Sequence, residues 1–454
     1  MMPAGLEVLR AEIDAVEPAR WAGRVCGIGR GTLSVSGLSE VAALGQMVRI
    51  RRSDGTFMLG EVTQVEEGVI TVFPDGAPSG MRTGARVELL GNDVIAPHDS
   101  WIGRIIDPFG IPLSGPALLR GPRPRPLQAM PPNPAQRRRL GPRAATGMAV
   151  FDTLLPIVRG QRIGLFSGSG VGKSTLLGKL AIGMETDIVV VAMIGERGRE
   201  LREFVERVLG PRGMSRAIVV AATSDQSALV RRRCAWAAMS VAEHFRDQGR
   251  QVLFLADSLT RFAEAHREIA LAAGEDASLR GYPPSVAHML MQLCERAGPG
   301  IDGSADITAI FSVLVAGSDM EEPVADIVRG VLDGHVVLER RIAERGRFPA
   351  IDLLRSVSRA LPDAATEEEN RLIGRARELL GLYDRSEMMI QAGLYAHGSD
   401  PDTDTAIAVW PRLDAFLSAS SRGGIRESFR MLEDCLKVAE DNHFAKEQQE
   451  ERSA

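Results

Sequence analysis

Cysteine is scarce. The four present, Cys26, Cys234, Cys294 and Cys435, stand far apart in a chain of 454 residues. None lies within metal-ligand spacing of another, which argues against a zinc site or a disulfide framework. Isolated cysteines suit a reducing compartment and burial as small apolar side chains. Long apolar runs are also missing. No stretch approaches the roughly eighteen apolar residues of a spanning helix. The N-terminus carries Glu7, Glu12 and Asp14 where a secretory leader would carry a basic end and an apolar run. The expectation is a cytosolic protein that meets a membrane only through partners. An excess of positive charge is absent too. Fifty-four Lys and Arg against 59 Asp and Glu leave a formal net charge of -5, which argues against a general nucleic-acid binder.

What is there is a globular composition, 44% hydrophobic and 25% charged. The length suggests two or three domains. Residues 5–16 (GLEVLRAEIDAV) set Leu6, Leu9, Ile13 and Val16 near helical spacing. This predicts a short amphipathic helix within residues 1–20, packed on its own domain or docked to a partner. From 21 to 95 the period changes to short apolar runs (VRIRR, FMLGEV, VITVF, ARVELL) separated by Gly, Asp-Gly and Pro turns. That pattern predicts a small β-barrel. Residues 112–147 are rich in Pro, Gly and Arg, with PRPRP and QRRRL. The prolines favour extended chain, and the Arg139 cluster reads better as a linker crossing a domain surface than as a nucleic-acid patch. Across 96–365, strand-like runs (RIGLFS, DIVVVAMIG, AIVVAAT, QVLFLAD, ITAIFSVLV) alternate with helical stretches, which predicts an α/β core with a mainly parallel sheet. From 366 to 454 only helical patterns remain, so the chain should end in a helical domain.

The chemistry concentrates at Gly168-Ser-Gly-Val-Gly-Lys-Ser-Thr175, between the strand RIGLFS and the helix STLLGKLAIG. This is the setting of a P-loop. Gly168, Gly170 and Gly172 are expected to adopt positive φ and let the backbone approach a phosphate without a Cβ clash. Ser169, Val171 and Thr175 complete the cradle, whose N–H groups and helix N-terminus face the anion. Lys173 can reach the β- and γ-phosphates, and the Ser174 hydroxyl is the expected Mg²⁺ ligand. One residue departs from the pattern G-x-x-x-x-G-K-[ST]: Ser167 stands where Gly is usual. A second Mg²⁺ element should be an Asp at the end of a buried strand, and Asp257 closes QVLFLAD. A carboxylate to orient or deprotonate water is also needed. Glu196, at the C-terminal end of a strand where open α/β sheets set their sites, competes with Glu200 for that role.

SGSGVGKSTL, GERGRE, ADSLTRFAEAHREI, RGYPPSV and PAIDLLRSVSR, taken together in this order, resemble the catalytic-subunit family of rotary ATPases, and within it the flagellar and type III secretion export ATPases. The likeness runs from GRIIDPFGIPLSG (103–115) to AGLYAHGSDPDTDTAI (392–407) and is weak at both ends of the chain. It implies a RecA-like core behind an N-terminal barrel, assembly as a homohexamer with ATP and Mg²⁺ at each interface, and the catalytic carboxylate at Glu196. It further implies Arg197 near the γ-phosphate, Asp257 as the Walker B residue, Arg359 as a finger given to a neighbour's site, and Phe348 stacked on adenine. The implied partners are a stator-like regulator at the N-terminal helix, a central stalk protein, an export gate and substrate–chaperone complexes, with the hexamer peripheral at the inner-membrane export apparatus. DSLTRFA (257–263) and GERGRE (195–200) resemble the export branch rather than a rotary ATP synthase subunit, and the overall family wording leans to flagellar-type export, with a virulence system and an RNA/DNA translocase as alternatives. A translocase would need stacking aromatics in the barrel, where Trp21, Phe57 and Phe73 are available.

Overall fold

A computed structural model describes residues 4–451 apart from Arg30, Asn92 and residues 316–319. Positions 1–3 and 452–454, the outer ends of the segments read as N-terminal helix and helical domain, lie outside the described residues. The chain opens with α1 (Ala4–Asp14). Its apolar stripe is not folded back onto the chain: Leu6, Leu9 and Ile13 are 51%, 55% and 62% exposed.

Six antiparallel strands then close a barrel: β1 (Ala22–Ile28), β2 (Leu33–Ser36), β3 (Met47–Arg51), β4 (Phe57–Glu66), β5 (Val69–Pro74) and β6 (Arg86–Leu89), in the order β1-β2-β5-β4-β3-β6. Alternation of apolar and polar residues along each strand drives this, because it sends Leu33, Val35, Ile50, Val62, Ile70, Val72 and Val87 into one small core. Gly60 lets the wall close, since a Cβ there would sit 2.6 Å from Val72. Two of the three barrel aromatics are exposed; Phe73 is buried against the next domain, beside Leu229 and Ile269.

Two-residue strands β7 (Val94–Ile95), β8 (Ile105–Ile106) and β9 (Arg125–Pro126) follow; β7 pairs with β9, and β8 joins the edge of the main sheet. Two of the three arginines of QRRRL are used as anchors. Arg137 donates to the Ala297 carbonyl at 3.1 Å, and Arg138 pairs with Asp306 at 2.6 Å. They pin the linker to the core.

That core runs α2 (Ala149–Asp152), β10 (Arg162–Ser167), α3 (Lys173–Gly183), β11 (Ile188–Glu196), α4 (Gly198–Glu203), α5 (Gly210–Met214), β12 (Ala217–Thr223), α6 (Ala228–Asp247), β13 (Val252–Asp257), α7 (Leu259–Ala272), α8 (Ser285–Arg296), β14 (Ile307–Leu314), α9 (Pro323–Val331), β15 (Gly334–Leu338), α10 (Arg340–Glu344) and β16 (Ile351–Ser358). The sheet order is β16-β15-β10-β14-β13-β11-β12-β8, parallel throughout except for β16, which runs antiparallel to β15. Strands such as β11 are buried on both faces, which is why they read as unbroken apolar runs rather than alternating ones. One face packs on α6–α9. The other packs on α3 and, through α2, on three C-terminal helices.

Those are α11 (Glu367–Gln391), α12 (Pro401–Ser418) and α13 (Gly424–Glu451). Local chemistry starts them. Thr366 and Glu369 form a reciprocal capping box for α11, and Asp400 caps α12 ahead of Pro401. Tyr383 stacks on Trp410 at 4.2 Å between α11 and α12. Buried Asp152 accepts from Thr146 and, at 3.0 Å, from Ser428, which ties α13 to the core. Among the described residues no helix is long and apolar enough to cross a membrane.

The barrel is fastened to the core by a buried guanidinium. Arg232 of α6, 3% exposed, pairs with Glu61 of β4, donates to Nδ1 of His266 at 3.0 Å and lies 4.9 Å from the Trp236 ring. Removing one partner of such a pair leaves a buried charge alone. Arg232→Ala is expected to lower unfolding stability by about 3–5 kcal/mol, read as a shift in the urea midpoint. The paired change Glu61→Gln with Arg232→Met should recover most of it. Equal losses in the single and paired variants would show that charge pairing is not what holds the two units.

Candidate active site

β10 ends at Ser167, and the chain turns through residues 168–172 before α3 begins at Lys173. Gly170 (φ 78°) and Gly172 (φ 85°) take the left-handed conformation. Gly168 does not, so the expected positive φ holds for two glycines of the three. At Gly168 the nearest atom to an added Cβ would be 3.8 Å away, and at Gly170 there is open space. The loop therefore faces a void. This void is a cleft of about 970 Å³ lined by residues 167–175, Glu196, Arg197, Glu200, Arg261 and Leu314 among others. It lies at the C-terminal edge of the parallel strands, where the strand ends and the N-terminus of α3 converge.

Three charged side chains meet at its floor. The Lys173 ammonium contacts Oδ1 of Asp257 and lies 3.8 Å from Oε1 of Glu196. Asp257, 2% exposed, is delivered by the last residue of β13, two strands away from β10. Glu196 ends β11 beside it. Burial pushes the Glu196 carboxyl up to about 7 from an ordinary 4.5, helped by a hydrogen bond with Glu200 and by the Asp257 charge, while Lys173 pulls the other way. Glu196 and Glu200 differ in position: Glu200 lies in the first turn of α4, more exposed and 3.7 Å from Arg197, whereas Glu196 is the one near Lys173 among the described contacts.

The remaining predicted residues divide. Ser174 and Thr175 are open to the cleft in the first turn of α3. Arg197 lines the cleft with its side chain 77% exposed. Phe348 lies over Gly172, whose Cβ would come within 3.1 Å of the ring, and walls a second hollow of about 300 Å³ with Thr175, Leu176, Lys179 and Pro349. Arg359 is exposed beyond the end of β16 and lines neither hollow. Three residues that the motifs did not single out also line or brace the site. Arg261 of α7 faces Glu196 and Glu200 and pairs with Glu264 at 2.9 Å. Thr260 ties α7 to β14 by accepting from the Leu314 amide at 2.9 Å. Ser312 of β14 donates to Asp257 at 2.8 Å. The available signals were a serine deep inside the apolar run ITAIFSVLV and the T-R that follows the strand-end Asp.

Residues 147–358 match the ATP synthase alpha/beta family, nucleotide-binding domain, and residues 365–433 match the T3SS EscN ATPase C-terminal domain. The flagellum-specific ATP synthase of Caulobacter vibrioides is 44% identical over 93% of this chain and 98% of its own length. The chain belongs to the flagellar and type 3 secretion branch of the ATP synthase alpha/beta family. The type 3 secretion system ATPase of Pseudomonas syringae pv. tomato is 41% identical over 91% of this chain and 92% of its own. Among solved structures, the assembled ATPase EscN of the enteropathogenic E. coli type III secretion system superposes with a TM-score of 0.84 at 37% identity, covering 91% of this chain and all of that one. EscN in complex with its central stalk EscO gives 0.82 at 38% identity, over 91% of this chain and all of that one. The chain is thus a P-loop ATPase of the export type, with a nucleotide as its substrate, and the fold read from sequence is the fold of this branch.

The raised Glu196 has a consequence for stability. Its folded value, about 7, lies above its ordinary 4.5, so the folded state binds more protons between these limits and stability falls as pH rises through them. Glu196→Gln, neutral throughout, should therefore stabilise the nucleotide-free protein at pH 8 by on the order of 1–2 kcal/mol after allowance for solvent screening. The gain should shrink towards pH 5. Thermal melts across this range check it, and a gain independent of pH would assign it to packing.

Proposed function

We propose that this ATPase is a homohexameric motor that hydrolyses Mg²⁺-ATP at subunit borders and energises chaperone release and substrate entry in flagellar-type protein export. The observation that supports it most is the convergence of Lys173, Asp257 and Glu196 on one cleft behind a glycine-lined loop. In this reading the loop amides and Lys173 hold the β- and γ-phosphates. Asp257 and the Ser174 hydroxyl are hard oxygen donors of the kind a magnesium ion takes beside phosphate, so the residues present fit the ion, which would neutralise charge on the transferring group. Glu196 orients the attacking water and holds its proton, a task suited to a carboxyl whose proton affinity is near neutral. Arg197 and Arg261 add positive charge at the rim. Phe348 offers a face for the adenine.

Arg359 acts across the border on a neighbouring subunit's nucleotide. The uncovered stripe Leu6, Leu9 and Ile13 of α1 takes a stator-like regulator. A central stalk protein engages the hexamer, by analogy with EscN in complex with its central stalk EscO. The hexamer works in the cytoplasm, peripheral at the inner-membrane export apparatus, handing substrate–chaperone complexes to the export gate.

Lys173→Ala and Glu196→Gln should each cut turnover by at least about 10³-fold, and Arg359→Ala should lose on the order of 10³- to 10⁵-fold while still binding nucleotide. Mixing Arg359→Ala with Glu196→Gln subunits should restore part of the hydrolysis, because a mixed border joins an intact Glu196 to an intact Arg359. No recovery at any mixing ratio would sink trans action, and near-normal turnover of Glu196→Gln would remove that residue from the chemistry.

A further inference from the structure

The floor of the cleft carries one contact that the reaction scheme above does not use. Asp257 ends β13 and Ser312 lies on β14, the strand between β13 and β10. Ser312 is fully buried, and its hydroxyl donates to Oδ1 of Asp257 at 2.8 Å. Its neighbour on the same face, Ile310, packs in the core with Leu253 and Leu255, while the row's other hydroxyl, Thr308, is taken up by the Gly160 amide at 3.0 Å. A hydroxyl at a strand end does not find that carboxylate automatically. Ser167, at the end of β10, is equally buried and its Oγ has no partner.

Among the described residues, the groups that contact the Asp257 carboxylate are Lys173 and Ser312, both on Oδ1. When a triphosphate enters, Lys173 is drawn towards the phosphates. Ser312 is then the remaining protein group among those contacts that restrains the carboxylate's rotation, keeping Oδ1 engaged. We infer that Ser312 is a positioning residue that orients Asp257 for the magnesium–nucleotide complex. This rests on the reading of Asp257 as the metal-side carboxylate. Hydrogen-bond partners of metal-side groups commonly cost 10- to 100-fold in metal affinity when removed.

The test titrates Mg²⁺ into the full-length protein with a fluorescent ATP analogue bound, and separately measures analogue binding without Mg²⁺. Ser312→Ala should raise the Mg²⁺ midpoint by about tenfold, leave Mg²⁺-free binding unchanged, and be rescued by Ser312→Thr. Ser312→Cys keeps the volume but donates weakly, so it should shift the midpoint the same way even if the alanine variant folds poorly. A wild-type midpoint in both the alanine and cysteine variants would overturn the proposal, as would equal losses with and without Mg²⁺. Asp257→Asn is the internal reference. If it abolishes the Mg²⁺ response while the Ser312 variants do not change it, only the role of Ser312 falls. If Asp257→Asn itself keeps the wild-type midpoint, the reading of Asp257 falls and the inference with it.

Discussion

The contact on which the site depends is the reach of Lys173 across one strand to Asp257. Without nucleotide, the cleft floor holds two carboxylates, one of them almost wholly buried, and a buried carboxylate needs a cation or hydrogen-bond donors to stay ionised. Lys173 supplies the cation. In the proposed function phosphate binding draws it away, so that the ammonium exchanges one anionic partner for another rather than losing one. The protein keeps the same lysine fixed at the start of α3 in both circumstances. Glu196, next in the row and less directly served, answers the shortage by holding its proton more tightly.

The sheet order makes that reach possible. β10 carries the loop and β13 the aspartate, with β14 between them, while β11 brings the glutamate on the far side of β13. All four strands run the same way, so their C-terminal ends share one edge, and α3 starts at that edge with unsatisfied amides. Strands in sequence order 10, 11, 13 and 14 thus deliver residues separated by more than 80 positions to a single cleft. Apolar burial on both faces of the sheet keeps them there: α6–α9 on one side, α3 and the C-terminal helices on the other.

How much of this the sequence makes legible follows from how local each signal is. The phosphate loop is readable because its glycines, lysine and flanking strand and helix are contiguous. Asp257 is readable because it ends an apolar run. Strand position alone leaves Glu196 and Glu200 level; the resemblance names Glu196, and the fold adds that its side chain is the more buried of the two. Ser312 and Arg261 escape because their meaning lies in a neighbour on another element. The positive φ assigned to Gly168 shows the limit of treating a glycine-rich loop as uniform: two glycines carry the turn, and the first leaves the approach open. For α1 the periodicity names the stripe, and only the fold says that nothing in the described chain covers it.

The antiparallel edge strand bears on where Arg359 can act. Phe348 precedes β16 and lies over Gly172, so the start of β16 is at the cleft edge of the sheet. Because β16 runs against β15, its last residue pairs with the first of β15, Ser358 opposite Gly334, at the opposite edge. Eight residues at about 3.3 Å each carry the chain some 20–25 Å from one edge to the other, several times the reach of an arginine side chain. Arg359 therefore stands across the sheet from its own subunit's phosphates, exposed, and held by its amide to the Asp333 carbonyl at 3.0 Å. An arginine so placed serves a phosphate only if another subunit brings one to it. The reversal of one strand separates the aromatic proposed for the subunit's own adenine from the arginine proposed for its neighbour's phosphates.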